Sequence, residues 1–210
     1  MGGVRPVTTT FELDPDSQDV PRDMWILARS KIKYYGAYPP GFLERARPVL
    51  GAKLEDSVWH IPGGMAHTYN GAGGIPTWAY GPNDLRIDLD PEVEPDILMD
   101  VRRMHSIIIE RGILRFPNEI EWCKRPKAII IDLPYSAEEA NKYFPGPAAF
   151  PSLQETLKQS LRIVEEGGLV GVLDWMWPRG KSIGAKCIFC ATVTTGEGSR
   201  SRLFTVWKKA

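Results

Sequence analysis

The chain has 210 residues, of which 43% are hydrophobic and 25% are charged, and its 26 basic residues balance its 26 acidic ones. This composition is typical of a globular domain, and the balanced charge argues against a protein that coats polyanions or membranes, though not against a local basic surface. We expect a cytoplasmic protein, because no signal peptide and no apolar run of about 20 residues is visible.

The amino-terminal quarter divides into two parts. Residues 1–22 are polar and contain prolines, which predicts a mobile or draped arm. We expect a single domain over residues 23–210, opened by a helical cover segment at 23–56. This segment holds a short helix, then the stretch KYYGAYPPG, then a second helix through about Leu50.

The rest of the chain alternates between strand-like and helical patterns. Short apolar runs predict strands at 57–61, 84–90, 96–100, 127–132 and 169–175. Residues 152–168 show helical spacing, with Ser152 and Glu155 as a capping box and Gly167-Gly168 as the stop. KCIFCATVTTG and RLFTVWKK predict a closing hairpin. This order predicts an α/β fold, with a mainly parallel sheet, helices on both faces and one antiparallel strand from the hairpin.

The three cysteines do not indicate a disulfide framework or a metal site. Cys187 and Cys190 have CxxC spacing, but they lie in an apolar, β-branched run, and no second pair accompanies them. One CxxC alone cannot close a tetrahedral zinc site, and the histidines show no ligand spacing. We therefore expect buried strand cysteines and no metal.

A glycine-rich loop, IPGGMAHTYNGAGG, follows the first strand of the predicted sheet. Glycines allow a backbone to approach a ligand closely, as adenosine and dinucleotide sites require. The loop is not a GxGxxG pattern, and a plain irregular loop is the alternative. The candidate cofactor contacts here are Pro62, Gly63 and Gly64.

Acidic residues close several predicted strands. Ligands of parallel sheets bind beyond the carboxyl ends of the strands, where such acids lie. Asp88, with Asp90 next in line, is a candidate to accept the hydroxyls of a ribose, and Asp100 could reach an adenine amino group. Turn formation at Asp90-Pro91 and a helix cap at Asp100 are the alternatives.

The order of these pieces resembles the class I S-adenosylmethionine-dependent methyltransferases, particularly the amino-methylating DNA methyltransferases of bacteria and their phages. The resemblance runs from about Lys31 to the end, through HIPGG, RIDLDPEVEPDILMDVR, AIIIDLPYS, LRIVEEGGLVGVLDW and the closing hairpin. It implies a Rossmann-like fold with a seven-stranded sheet, S-adenosyl-L-methionine as cofactor and an activity of the EC 2.1.1 class. It also places Tyr35 in a segment that covers the methionine end of the cofactor.

The DLPY stretch resembles the Asp-Pro-Pro-Tyr signature of that family. There the Asp side chain and a backbone carbonyl hold the target amino group, and the aromatic ring stacks on the flipped base. The resemblance thus implies catalytic roles for Asp132, Pro134 and Tyr135, with Ser136 near the substrate. Leu133 stands where the family usually has proline, which loosens the arrangement because the fixed φ of proline is lost.

Two loops, at 174–182 and 195–202, carry basic residues beside tryptophans. If the sixth strand runs parallel to the others, both are expected to emerge at the edge formed by the carboxyl ends of the parallel strands, which is called the active edge below. Such residues suit phosphate contact and base stacking, whereas solvated surface charge is the alternative. The candidate substrate-binding residues are Trp177, Arg179, Lys181, Arg200 and Arg202.

Three functions remain open at this stage. The first is methylation of an amino group of a DNA base, with DNA as partner and no membrane. The second is methylation of RNA, protein or a small molecule, with Leu133 as a sign that base recognition is absent. The third is a catalytically inactive, methyltransferase-like binding protein. The sequence does not specify the oligomeric state.

Overall fold

The computed structural model describes residues 20–29, 37–68, 76–116, 122–134, 136, 138, 140–141, 151–196 and 201–210. The strands in these ranges are β1 Arg22–Ile26, β2 Val58–Ile61, β3 Leu85–Asp88, β4 Ile97–Leu98, β5 Ile108–Glu110, β6 Ile113–Arg115, β7 Trp122–Lys124, β8 Ala128–Ile131, β9 Leu169–Asp174, β10 Ala185–Thr194 and β11 Arg202–Lys209. The described helices are α1 Phe42–Val49, α2 Leu153–Ile163 and 3₁₀ helices at Pro91–Val93, Val101–Ser106 and Gly180–Ile183.

The main sheet has eight strands in the order β1-β10-β11-β9-β8-β2-β3-β4. The strands β4, β3, β2, β8 and β9 run parallel, whereas β11 lies antiparallel between β9 and β10. The expected Rossmann-like α/β fold, a mainly parallel sheet with a carboxy-terminal antiparallel hairpin, is therefore confirmed. The expected number of seven strands is exceeded by one, because β1 pairs with β10 in parallel at the edge.

The additional strand corrects the prediction that the cover segment opens with a short helix. In β1 the Trp25 side chain is 2% exposed, whereas Met24 and Ile26 are 63% and 68% exposed. This is the period-two alternation of a strand with one buried face. Trp25 packs against Phe42 and Phe204, with ring centroids 6.1 and 5.3 Å apart, so tertiary contacts favour the extended conformation.

Alternate residues of the central strands enter two different cores, as expected of a strand that is covered on both faces. On one face, α1 packs against the sheet through Phe42, Leu43 and Ala46. On the other face, α2 packs against it through Leu157 and Leu161. These two faces are called the α1 face and the α2 face below.

Helix α2 begins as its sequence predicts. The Oγ of Ser152 accepts a hydrogen bond from the Glu155 N–H at 3.3 Å, which satisfies one of the free donors at the helix start. The helix ends before the Gly-Gly pair. Gly167 has φ 76, and a Cβ on Gly168 would lie 2.5 Å from a methyl group of Val164, so both glycines are required by the turn into β9.

A small, separate antiparallel sheet, β5-β6-β7, is formed by the part of the chain that connects β4 to β8. It was not predicted. Arg111 and Gly112 connect β5 to β6 with positive φ angles of 51 and 79, as two-residue hairpin turns require. The predicted strand position of the CxxC cysteines is confirmed, since Cys187 is buried and Cys190 half-buried in β10, both as free thiols.

Candidate functional site

The carboxyl ends of β2, β3 and β8 meet where the connections of the sheet change direction. From β2 the chain continues to β3 and β4 on one side, and it later returns to β8 and β9 on the other. The space beyond β2 and β8 is therefore a topological switch point, the place where open parallel sheets bind ligands.

Backbone hydrogen bonds join the three candidate segments at this edge. The N–H of Asp132 donates to the carbonyl of Ile61 at 3.0 Å, and the N–H of Gly63 donates to that of Ile87 at 2.8 Å. The N–H of Gly64 donates to Oδ2 of Asp88 at 2.7 Å. The glycine loop, the acid that ends β3 and the residue that follows β8 thus form one connected edge, as the sequence predicted.

The paired glycines have a structural reason that the sequence did not reveal. A Cβ on Gly63 would lie 2.4 Å from the Cβ of Arg86, so only glycine allows the loop to approach β3 this closely. Gly64 has φ 42, which is the left-handed region. Pro62 is half-buried beside them. The glycines at 71, 73 and 74 lie outside the described residues.

Asp88 presents a half-buried carboxylate at the end of β3. Its Oδ2 accepts from Gly64 and its Oδ1 accepts from the N–H of Asp90 at 3.1 Å. A carboxylate has about four acceptor positions, so these bonds leave room for ligand hydroxyls. Burial raises the pKa of Asp88, and the hydrogen bonds from Asp90 and Gly64 oppose that rise only in part.

The other two strand-end acids of this region serve as caps. The Asp90 side chain accepts a hydrogen bond from the N–H of Glu92 at 2.9 Å, as expected if Asp90 forms a turn with Pro91. Asp100 accepts from the N–H of Arg102 at 2.9 Å at the start of a 3₁₀ helix, and the Arg102 guanidinium contacts both of its carboxylate oxygens. Burial acts to raise the pKa of Asp100, but the hydrogen bonds from Arg102 outweigh it and hold that pKa below its ordinary value. A role for Asp100 toward adenine stays a prediction.

Asp132, the first residue of DLPY, forms an ion pair with Arg202. The Arg202 Nη1 lies 3.3 Å from each carboxylate oxygen, and the Asp132 and Arg202 side chains are 13% and 19% exposed. Leu133 is 2% exposed in the core of the α2 face, which explains an apolar residue at this position. Pro134 is half-buried and Ser136 exposed.

Three of the predicted site residues cannot be placed. Tyr35, Tyr135 and Arg200 lie outside the described residues. The roles assigned to them from the resemblance stay predictions.

A buried polar network lies on the α1 face below this edge, and the sequence did not predict it. The Tyr38 hydroxyl is hydrogen-bonded to His60 Nδ1 at 3.2 Å, His60 Nε2 to Asp84 at 3.4 Å, and Arg47 Nη1 contacts the same carboxylate at 2.6 Å. Burial raises the pKa of Tyr38 far above its ordinary value, and the negative charge of Asp132 adds to that rise. The network fastens the segment before α1 to the sheet. A histidine inside the apolar run SVWHI was the available signal.

The loop after β9 connects two parallel strands of the sheet. It starts at the active edge, but β10 is parallel to β9 and must begin at the opposite edge. The Trp177 ring packs on Trp207, with centroids 5.9 Å apart, and a Cβ on Gly180 would lie 2.1 Å from that ring. The loop therefore crosses from the active edge to the start of β10, and it carries Lys181 and Arg179, whose backbone N–H donates to Gln154 Oε1 in α2 at 3.0 Å. Their contact with a substrate stays a prediction.

Asp174, the last residue of β9, is a further strand-end acid that sequence reasoning missed. It is buried, and its Oδ1 accepts from the N–H of Met176 at 2.9 Å. Burial raises the pKa of Asp174, although bonds from Met176 and Trp175 oppose that rise. The rule that singled out Asp88 and Asp132 would have found it.

Comparisons with known proteins add little to this geometry. No protein-family model matches the chain, and no curated protein does. Among solved structures, the chain is similar to the precorrin-6y C5,15-methyltransferase of Geobacter metallireducens GS-15, with 11% identity over 86% of this chain and 93% of that one and a TM-score of 0.44. A likeness this weak carries no argument about activity.

The described residues contain neither a membrane-spanning helix nor a group of metal ligands. None of their helices is both long and apolar enough to cross a membrane. Among the same residues, no group of three or more His, Cys, Asp or Glu side chains is arranged to hold a metal ion.

Proposed function

We propose that this protein is an S-adenosylmethionine-dependent methyltransferase that acts on an amino group of a DNA base. The observation that carries the proposal is the connected edge at the switch point, where the glycine loop, Asp88 and Asp132 are joined by backbone hydrogen bonds. A nucleoside-binding acid and an amine-accepting acid on either side of one switch point suit a reaction between an adenosine cofactor and an amine.

The residues at this edge fit the cofactor. Asp88 retains acceptor positions for the ribose hydroxyls, and Gly63 and Gly64 keep the loop beside it free of side chains. Pro62 and Asp100 are the remaining described candidates, and Tyr35 is assigned from the resemblance alone. When bound, the cofactor supplies a methyl group that is already activated by the sulfonium.

The protein's own contribution is positioning. In the proposed reaction the Asp132 carboxylate accepts an N–H of the target amino group, and the Leu133 carbonyl accepts the other. Tyr135 stacks on the base. Holding the nitrogen in line with the methyl group and excluding water supplies most of the rate gain that such a transfer requires.

A catalytically inactive binding protein is the second candidate, and one observation favours it. The Asp132 carboxylate already has a cationic partner in Arg202, which an amino group would have to share or displace. Methylation of RNA, protein or a small molecule uses the same site and is distinguished by substrate alone.

The first test is calorimetric titration of the protein with S-adenosylmethionine and S-adenosylhomocysteine. We expect micromolar binding that Asp88→Ala abolishes, because the ribose loses its acceptor. Glu92→Ala, which changes an exposed acid in the adjacent turn, is the matched control and should bind as the unchanged protein does. Binding would lead to a methyl-transfer screen on DNA, RNA and protein. No binding of either ligand would contradict both methyltransferase functions.

A further inference from the structure

The partner of Asp132 is a residue that the sequence assigned to substrate phosphates. Arg202 opens β11, and 70 positions separate it from Asp132. The pair is mostly removed from solvent, with side chains 19% and 13% exposed. Because the pair is shielded from solvent, its attraction is screened less than that of an exposed surface pair.

The sheet topology explains how two distant residues meet. Leu203 is aligned with Asp174 at the end of β9, and β9 is adjacent to β8. Phe204 and Val206 belong to the core of the α1 face, so the alternation of β11 directs Arg202 to that face as well. Its side chain thus reaches across the end of β9 toward Asp132.

The contact has a direct consequence for an acceptor carboxylate. One nitrogen of Arg202 lies 3.3 Å from each oxygen of Asp132, so both oxygens interact with the same positive charge and the movement of the carboxylate is limited. Arginine stays charged at all relevant pH values, and a nearby positive charge favours the ionised carboxylate, which only accepts hydrogen bonds. An amino group donates hydrogen bonds, and the ionised carboxylate is the stronger acceptor for them.

We propose that Arg202 is a positioning residue, which holds the Asp132 carboxylate in place and in its acceptor form instead of contacting substrate phosphates. The proposal rests on the proposed function for its catalytic meaning. Tyr38, whose buried hydroxyl lies within the electrostatic influence of both residues, faces the pair from the α1 side, and the buried Asp174 at the end of β9 also lies within the influence of Arg202.

The two roles of Arg202 predict different kinetic changes. The test uses the full chain with Arg202→Gln and Arg202→Lys, and with Lys208→Gln as control, because Lys208 is exposed on the same strand at its far end. Methylation of a mixed-sequence DNA duplex gives kcat and KM, and binding of that duplex is measured at several salt concentrations. For a positioning role we expect Arg202→Gln to lower kcat about 10²-fold with KM unchanged. In the pH profile of Arg202→Gln, the loss of activity on the acid side should begin at a higher pH than in the unchanged protein. Arg202→Lys should recover part of kcat.

A phosphate contact would give the reverse result. Arg202→Gln would then weaken duplex binding, reduce the slope of log affinity against log salt by about 1, and leave kcat unchanged, which would overturn the proposal. A loss of activity through misfolding is recognised by a lost unfolding transition, and Arg202→Lys then carries the kinetic comparison.

A readout that needs no activity separates this proposal from the function itself. Asp132→Asn, Arg202→Gln and the double variant are compared by urea unfolding in the absence of any cofactor. Non-additive effects are expected if Arg202 holds Asp132, whereas additive effects would overturn the proposal whether or not methyl transfer is found. Absent cofactor binding together with non-additive unfolding would contradict the proposed function and leave the pairing supported.

Discussion

Asp84 accepts hydrogen bonds from four groups that come from three separate parts of the chain. They are the Arg47 guanidinium at 2.6 Å, the N–H groups of Val58 and Gly81 at 3.0 and 2.8 Å, and His60 Nε2 at 3.4 Å. Burial alone would raise the pKa of Asp84, but the bonds from His60 and Arg47 outweigh it and hold that pKa below its ordinary value. One side chain thus connects α1, β2 and the turn before β3.

Asp84→Asn should therefore lower the free energy of unfolding at neutral pH by about 3–5 kcal/mol, because it leaves the buried Arg47 charge without its partner. Urea unfolding at pH 7 measures the change. Glu166→Gln, at an exposed acid, is the control and should stay within about 0.5 kcal/mol of the unchanged protein. An equally small effect at Asp84 would show that the network is dispensable for stability.

At the scale of elements, strand β1 shows how a segment of mixed propensity takes its conformation from its neighbours. RDMWI has no strong strand or helix signature, although a short helix was predicted at the start of the cover segment. Pairing with β10 and the packing of Trp25 into the aromatic cluster of the α1 face decide for a strand.

Trp25→Ala should destabilise the fold by about 3–5 kcal/mol, since it removes a large side chain from a filled core. Ile26→Ala on the same strand is the matched control, and its 68% exposure predicts a change near 0.5 kcal/mol or less. Thermal and urea unfolding of both variants give the comparison. Equal effects of the two substitutions would mean that β1 is not held by Trp25.

For the whole molecule, four carboxyl groups with shifted pKa values form two sets with opposite effects on stability. Asp84 and Asp100 have lowered pKa values, so the stability they contribute is present above the unfolded-state pKa and is lost as the pH falls through the folded-state pKa. Asp88 and Asp174 have raised pKa values through burial, so their ionised forms destabilise the folded state at neutral pH. This destabilisation disappears when the pH falls and the two carboxyl groups become protonated. Both members of the second set lie at strand ends along the active edge.

Asp174→Asn should accordingly raise the free energy of unfolding at pH 7, because the amide keeps an oxygen for the Met176 N–H and removes a buried charge. The gain should shrink as the pH falls through the folded-state pKa of Asp174, since the native carboxyl then becomes neutral as well. Unfolding curves from pH 7 down to about pH 4 measure this. A gain that does not change with pH would contradict a charge-based cause.

How much the sequence predicted follows from the range of the interactions involved. The strands from β2 to β4, β8 to β11 and the helix capped by Ser152 were predicted because apolar periodicity and capping are local signals. The small sheet β5-β6-β7 was missed, although its Arg111-Gly112 turn is local, because non-glycine residues with positive φ are rarely recognisable from sequence. The path of the loop that carries Lys181 depends on where a parallel strand must begin, which is not a local signal.

The sequence by itself determined the alternation of strands and helices, and with it the switch-point edge that holds the glycine loop, Asp88 and Asp132. Only the tertiary structure decided which side chains partner these residues. Arg202 reaches Asp132 across 70 positions, and Tyr38, His60 and Asp84 meet in a network that no local pattern encodes. The physical reason is that periodicity records which face of an element is buried, whereas ion pairs and buried hydrogen bonds depend on the register between elements that are far apart in the chain.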